Sequence, residues 1–256
     1  MDASKRISST MRALAPLVLL MLLLAGWYAT TTLGQIEQWR LPSPDAVWAR
    51  ATQLLSQQWM WIRIGVTAWE SFLGCVVGMV VALPLAWGIH RIAVIAAAVE
   101  PFLGATQAIP AIALAPLLVL WVGNGWVPIV GLCALMVFFP ILVSTVLGLR
   151  HLDRVVIEAA QLDGASGWTM LWYMEVPLAA PSMLAGLRNG FTLSVTGAVV
   201  GEMVMGGNGL AAVLVQQRNN LDTAGMFVTI MIMCVLAMSA WGLIRHVEKR
   251  QSHRNN

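Results

Sequence analysis

Six stretches of this chain, at about 14–33, 64–89, 101–121, 127–149, 182–204 and 224–244, are apolar over the length of a membrane crossing. An α-helix needs roughly 20 such residues to span the hydrocarbon core of a bilayer. In that medium every backbone N–H and C=O must be satisfied within the protein, so long apolar runs of this kind fold as helices. The ten-residue alternation of a membrane barrel is absent from the sequence. No polar stretch is long enough to hold a second folded domain. With 59% hydrophobic and only 11% charged residues, an ordinary soluble domain is excluded. The expected fold class is all-α integral membrane, with six transmembrane helices in one domain over 14–245. Tails at 1–13 and 246–256 flank it.

Charge placement orients the spans. Lys5, Arg6 and Arg12 precede the first run, as in a signal sequence, but no convincing small-x-small cleavage site follows, so the run reads as a retained anchor. A cytoplasmic N-terminus puts segments 1–13, 90–100, 150–181 and 245–256 inside. With Arg188 they carry 11 of the 15 Lys and Arg residues. Arg40, Arg50, Arg63 and Arg218 are left outside. The positive-inside rule then places both termini in the cytoplasm. The basic balance therefore reflects topology, and a nucleic-acid partner is not indicated. Trp27, Trp39, Trp59, Trp61, Trp121 and Trp126 gather at the outer boundary, where aromatic belts form. Cys75, Cys133 and Cys234 lie far apart inside apolar runs without Cys-x-x-Cys spacing. They read as small buried hydrophobes, and no metal site is expected.

Outside the membrane, Leu41-Pro42-Ser43-Pro44-Asp45 is a turn able to cap a helix that starts near Ala46. Segment 150–181 is the polar, helix-forming island of the second half. Asp153 can cap a helix ending near Leu162, with Leu152, Val155, Val156 and Ala159 on one stripe. Gly164-Ala165-Ser166-Gly167 breaks it, and Trp168–Glu175 can form a second short helix before Pro177 and Pro181 return the chain to the membrane. Such an amphipathic helix–Gly–helix element leaves Trp168, Leu171 and Trp172 in need of a partner surface.

The island reads Glu158-Ala159-Ala160, three residues, Gly164, nine residues, Met174-Glu175-Val176-Pro177. It resembles the cytoplasmic-loop signature of ABC importer permeases: Glu-Ala-Ala, three residues, Gly, nine residues, Ile, one residue, Leu-Pro. Met174 and Val176 stand where that pattern has Ile and Leu. The resemblance implies a type I importer permease whose coupling-helix loop, with Glu158, Ala159, Ala160, Gly164, Trp168 and Pro177, inserts into a separate ATPase subunit. It further implies a permease homodimer, two ATPase subunits and an extracytoplasmic substrate-binding protein. This chain has no Gly-x4-Gly-Lys-Ser/Thr loop. ATP and Mg are therefore expected on the partner, with no cofactor on this chain and no catalytic residue in it.

Within the spans, Pro101, Pro110 and Pro116 interrupt the third, where Thr106 and Gln107 sit among apolar residues. Proline frees carbonyls that need protein or water nearby, so this helix either lines a cavity or packs as a kinked element. Gly186, Gly190, Ser194, Gly197 and Gly201 form a narrow stripe on the fifth span, suited to close helix packing or to a subunit interface. Glu70 and Glu202 are acidic residues deep in spans. Each either bonds a neighbouring helix or, with Thr106 and Gln107, lines the translocation path.

Further pieces, Leu41–Pro44, Ala115–Trp121, Phe139–Leu142 and Gly201-Glu202-Met203, resemble permeases of the nitrate, sulfonate, taurine and thiamine-precursor group. Glu70 stands where the sulfonate and nitrate pattern has Arg. That, with Thr106–Pro110 and Asn220–Ala224, is more similar to permeases for aminopyrimidine thiamine precursors or riboflavin. Import of nitrate, taurine or alkanesulfonates is the alternative, and a proton-coupled carrier using Glu70 and Glu202 is an alternative of another class. No His-Glu-x-x-His, Gly-x-Ser-x-Gly or paired intramembrane Asp points to an intramembrane enzyme.

Overall fold

The computed structural model describes residues 9–34, 36–105 and 110–252, and every regular element among them is helical. Thr106 and Gln107 lie outside the described residues. The chain divides into two compact units, one drawn from Met1–Met60 with Leu214–Met231 and one from Trp61–Val213 with Ile232–Asn256.

The first unit contains helix α1 (Ser9–Leu33) and helix α2 (Pro44–Leu55). Leu17 to Leu24 of α1 are all exposed, as befits a helix whose solvent is lipid. The turn before α2 caps it in the expected way: Ser43 Oγ accepts from Ala46 N at 3.3 Å, and Pro44 supplies a first-turn residue with no N–H to satisfy. Val47 and Leu54 form the buried stripe of α2. Trp27 donates from Nε1 to the Pro42 carbonyl at 3.1 Å and stacks on Phe227 at 5.6 Å between ring centroids.

The second unit is built around helix α6 (Trp126–Arg150), which packs most extensively against helix α9 (Val176–Met205). Two glycine stripes explain this closeness. On α9, a Cβ at Gly186 would stand 2.6 Å from the Ser144 side chain, one at Gly197 3.1 Å from Cys133 Cα, and one at Gly201 3.4 Å from Ile129 Cα. Gly190 faces Val137 and Ile141. On helix α3 (Gln58–Arg91), Gly74 and Gly78 abut Cys133, Ala134 and Val137 of the same α6. Backbones approach because the side chains are missing, and Ser194 Oγ then reaches the Ser71 carbonyl at 2.6 Å.

Segment 90–100, expected on the inner side between two spans, is mostly helix. Helix α4 (Ala93–Ala105) begins two residues after α3 ends, and four of the seven residues Ala93–Val99 are alanine, the best helix former. Helix α5 (Ala111–Val122) follows, so the third apolar run is described as two shorter helices. The expected second short helix before Pro177 is also corrected. Helix α8 (Gly167–Met170), a π-helical stretch (Leu171–Glu175) and α9 run on without interruption. Pro177 has no N–H and its ring crowds the carbonyl four residues back; the wide π turns immediately before it accommodate that crowding.

Helices α3 and α6 are each long and apolar enough to cross a membrane. The run through α9, paired with helix α10 (Leu210–Asn219) across a 51° bend, meets the same test as a broken span. Shorter apolar helices cover Leu17–Leu33, Ile112–Val122 and Thr223–Ser239, the last within helix α11 (Thr223–Ser252).

Candidate functional site

The signature segment folds as its spacing demands. Asp153 caps helix α7 (Arg154–Leu162), accepting from Val155 N at 2.9 Å. The helix ends in a Schellman turn: Ala165 N donates to Ala160 O at 2.9 Å and Gly164 N to Gln161 O at 3.0 Å. Gly164 sits at φ +87°, a conformation in which a Cβ is strained. The four-residue interval from Ala160 to Gly164 is thus the interval from the buried last-turn residue to the left-handed one. Around this closed backbone several apolar side chains face outward, whereas Ala160, Met170 and Leu171 are buried, so Leu171 does not join Trp168 and Trp172 on the exposed face as expected. Leu162 is 90% exposed, Val155 71% and Trp168 68%, and Glu158 and Ala159 are exposed as well. Pro177 occupies the first turn of α9.

The second half of the segment is tied to the C-terminal end of α3. Glu175 is buried, yet its carboxylate is fully engaged. Oε1 pairs with Arg91 Nη2 and lies 3.9 Å from His90 Nε2, while Oε2 accepts from Trp87 Nε1 at 3.3 Å. The Trp87 ring stacks on Trp168 at 5.7 Å. A carboxylate this buried is expensive to leave unpaired; loss of one partner of such a pair costs about 3–5 kcal/mol. Two cavities adjoin the junction, of about 410 and 450 Å³, and both are lined by Arg91 and Gln161.

Glu202 occupies the other kind of buried site. Its Oε1 accepts from Thr67 Oγ1 at 2.6 Å and its Oε2 from Ala211 N at 2.7 Å, while Thr67 Oγ1 accepts from Leu210 N at 2.8 Å. These two N–H groups open α10, so Glu202 and Thr67 together cap that helix from a distance. Gly207 and Gly209 are required beside them, since a Cβ on either would collide with Glu202. Arg63 adds a bond to Asn208 O at 2.6 Å. Glu70 is buried close to Glu202, and its Oε2 has no hydrogen-bond partner among the described residues. Glu70 also lines a cavity of about 360 Å³ with Val66, Trp69, Trp126, Ile129 and the Gly206–Asn208 turn.

Of the expected path residues, Glu70 and Glu202 are therefore brought together. Sequence reasoning missed Thr67, Trp87, His90, Arg91 and Glu175 as partners. A signal existed: Glu175 has no basic residue within four positions on its own helix, so its charge had to be met from elsewhere. The Arg50–Asp222 pair of the first unit was also missed. Arg50 Nε and Nη2 reach Asp222 Oδ2 at 2.9 and 2.5 Å, and Asp222 Oδ1 accepts from Gly225 N at 2.8 Å, capping α11.

Comparison with known proteins fits this geometry. Residues 74–253 match the family described as "Binding-protein-dependent transport system inner membrane component". The riboflavin transport system permease protein RibX of Chloroflexus aurantiacus is 38% identical over 250 residues, covering 96% of this chain and 93% of that protein. The formylaminopyrimidine transport permease protein ThiX of Halalkalibacterium halodurans is 31% identical over 242 residues, 93% of this chain and 94% of that protein. Among solved structures, the inward-facing MetNI methionine ABC transporter shares the fold. Its TM-score is 0.68 at 16% identity, over 75% of this chain and 95% of that chain. A profile match over most of the chain, together with these relatives, shows that the chain belongs to the binding-protein-dependent inner-membrane component family and is an ABC importer permease subunit.

Proposed function

We propose that this permease crosses the cytoplasmic membrane six times with both termini inside, and that segment 150–181 is its docking surface for the ATPase subunit. Membership of the family implies ATPase and substrate-binding partners. The observation that carries the docking assignment is a helix–turn–helix whose backbone is satisfied while Leu162, Val155, Trp168 and Trp172 face outward. A folded element with apolar side chains turned to water is completed by a partner. Gly164→Asp tests this: the permease should still reach the membrane but retain less than a tenth of the ATPase subunit on co-purification. Full retention contradicts the assignment.

The substrate reading is a neutral or weakly basic nitrogen heterocycle, such as riboflavin or an aminopyrimidine. The relatives named for riboflavin and formylaminopyrimidine transport support it, as does an acidic rather than basic residue beside the 360 Å³ cavity. A carboxylate repels an oxyanion in a medium of low dielectric, which disfavours nitrate, taurine and alkanesulfonates. Calorimetry on the cognate binding protein checks this: tight binding of riboflavin or an aminopyrimidine is expected, and tight binding of an alkanesulfonate with neither heterocycle contradicts it. The functional permease is a symmetric homodimer, because one chain supplies a single half of a path between two. Native mass measurement showing one permease chain, or two different ones, would contradict that.

A further inference from the structure

We infer that Glu175 is the positioning residue that carries movement of the docking loop into α3. The inference rests on the assignment of segment 150–181 to ATPase docking and adds how motion leaves it. Trp87, His90 and Arg91 occupy successive positions on one face of the last turns of α3, and all three converge on the Glu175 carboxylate. Trp168 stacks on Trp87, so the α8–π segment is held to α3 at both of its ends. Burial of Met170 and Leu171 contributes to the junction, while Arg91 and Gln161 line two cavities there. The Glu175–Arg91 ion pair adds a tie that is buried at the carboxylate and a third exposed at the arginine. Separating it would strand a carboxylate that is 1% exposed, so the loop and the end of α3 shift together.

From Arg91, α3 runs as one helix through Pro84 to Thr67, a length of about 36 Å at 1.5 Å per residue. There Thr67 bonds Glu202 and accepts from the first amide of α10, Leu210 N. One helix thus joins the docking loop to a fixed network at its opposite end.

The test is electron–electron distance measurement on the permease–ATPase complex in nanodiscs, with spin labels at Ile62→Cys on α3 and Leu120→Cys on α5, and Cys234→Ser removing the exposed native thiol. Addition of ATP with vanadate should shift the label distance by about 2–5 Å in the otherwise wild-type protein. In Glu175→Gln, whose side chain is buried against α3, the shift should fall below half with the ATPase subunit still co-purifying. The exchanged pair Glu175→Arg with Arg91→Glu should restore it. If Glu175→Gln does not accumulate, Trp87→Phe, which keeps a ring against Trp168 and deletes the N–H, should still reduce the shift. An undiminished shift in these variants, no shift in the parent, or loss of the ATPase subunit together with the shift overturns the inference. Failure of the docking assignment is separately visible, as ATPase retention by Gly164→Asp.

Discussion

Two turns of this permease share one backbone solution and differ in everything around it. α7 ends at Gly164 and α9 at Gly206, each glycine in the left-handed region at φ +87° and +78°. Each turn sends an amide back five residues, Ala165 N to Ala160 O and Gly207 N to Glu202 O, both at 2.9 Å. Around the α9 turn, buried polar groups are paired with one another: Glu202 takes bonds from Thr67 and Ala211, and Thr67 takes one from Leu210. A Cβ at either glycine would meet nothing within 4 Å, but around the α7 turn Leu162 and Trp168 face outward. A closed turn therefore says little about role. What its side chains are committed to distinguishes a helix-locking turn from one that leaves apolar side chains exposed.

The comparison breaks first at Glu202. Replacing it with Ala leaves a buried hydroxyl and a buried amide without their acceptor, two charge-assisted bonds worth about 1.5–3 kcal/mol each. The expected loss is about 3–5 kcal/mol in detergent unfolding experiments, with Glu202→Gln, which keeps one acceptor oxygen, losing about half. A change below about 0.5 kcal/mol would show that the network is not structural. Next comes the glycine stripe that sets α9 against α6. Gly186→Val should cost about 1–3 kcal/mol by overpacking against Ser144, measured in the same way.

Gly164→Ala and Gly206→Ala should each cost about 1 kcal/mol, because both demand a conformation that disfavours a Cβ. Their similarity in stability is the expectation, and only the Gly164 variant should also weaken ATPase retention. Unequal unfolding costs, or equal effects on retention, would undo the parallel. The smallest stability effect belongs to Leu162→Ser, within about 0.5 kcal/mol because the residue is exposed.

Much of the α7 turn was legible in the sequence and little of the α9 network was. The interval from Ala160 to Gly164 encodes its own turn, and Asp153 caps the helix that begins next to it; such information is local. Glu202 reads only as an intramembrane acid until Thr67, 135 residues away, is placed beside it. That neighbour comes from tertiary packing. Glu175 stands at the unspecified position of the signature, between Met174 and Val176, so the motif gives no account of it. Arg91 reads only as one more positive charge on the inner side until the fold joins the two. The π stretch was not legible either, because winding wider than an α-helix leaves no compositional mark. The proton-coupled reading of Glu70 and Glu202 gives way to membership of the importer family, and the bonds of Glu202 account for its carboxylate within the chain.

Thiol labelling of two introduced cysteines, one at a time, in a Cys234→Ser background that keeps only the buried Cys75 and Cys133 tests the distinction between the two turns most directly. Leu162→Cys and Asn208→Cys both present exposed sites, one beside each turn. Adding the ATPase subunit to the purified permease should slow maleimide labelling at position 162 by at least tenfold and leave position 208 within twofold. Equal protection at both, or none at position 162, would contradict the assignment of the exposed turn to a partner.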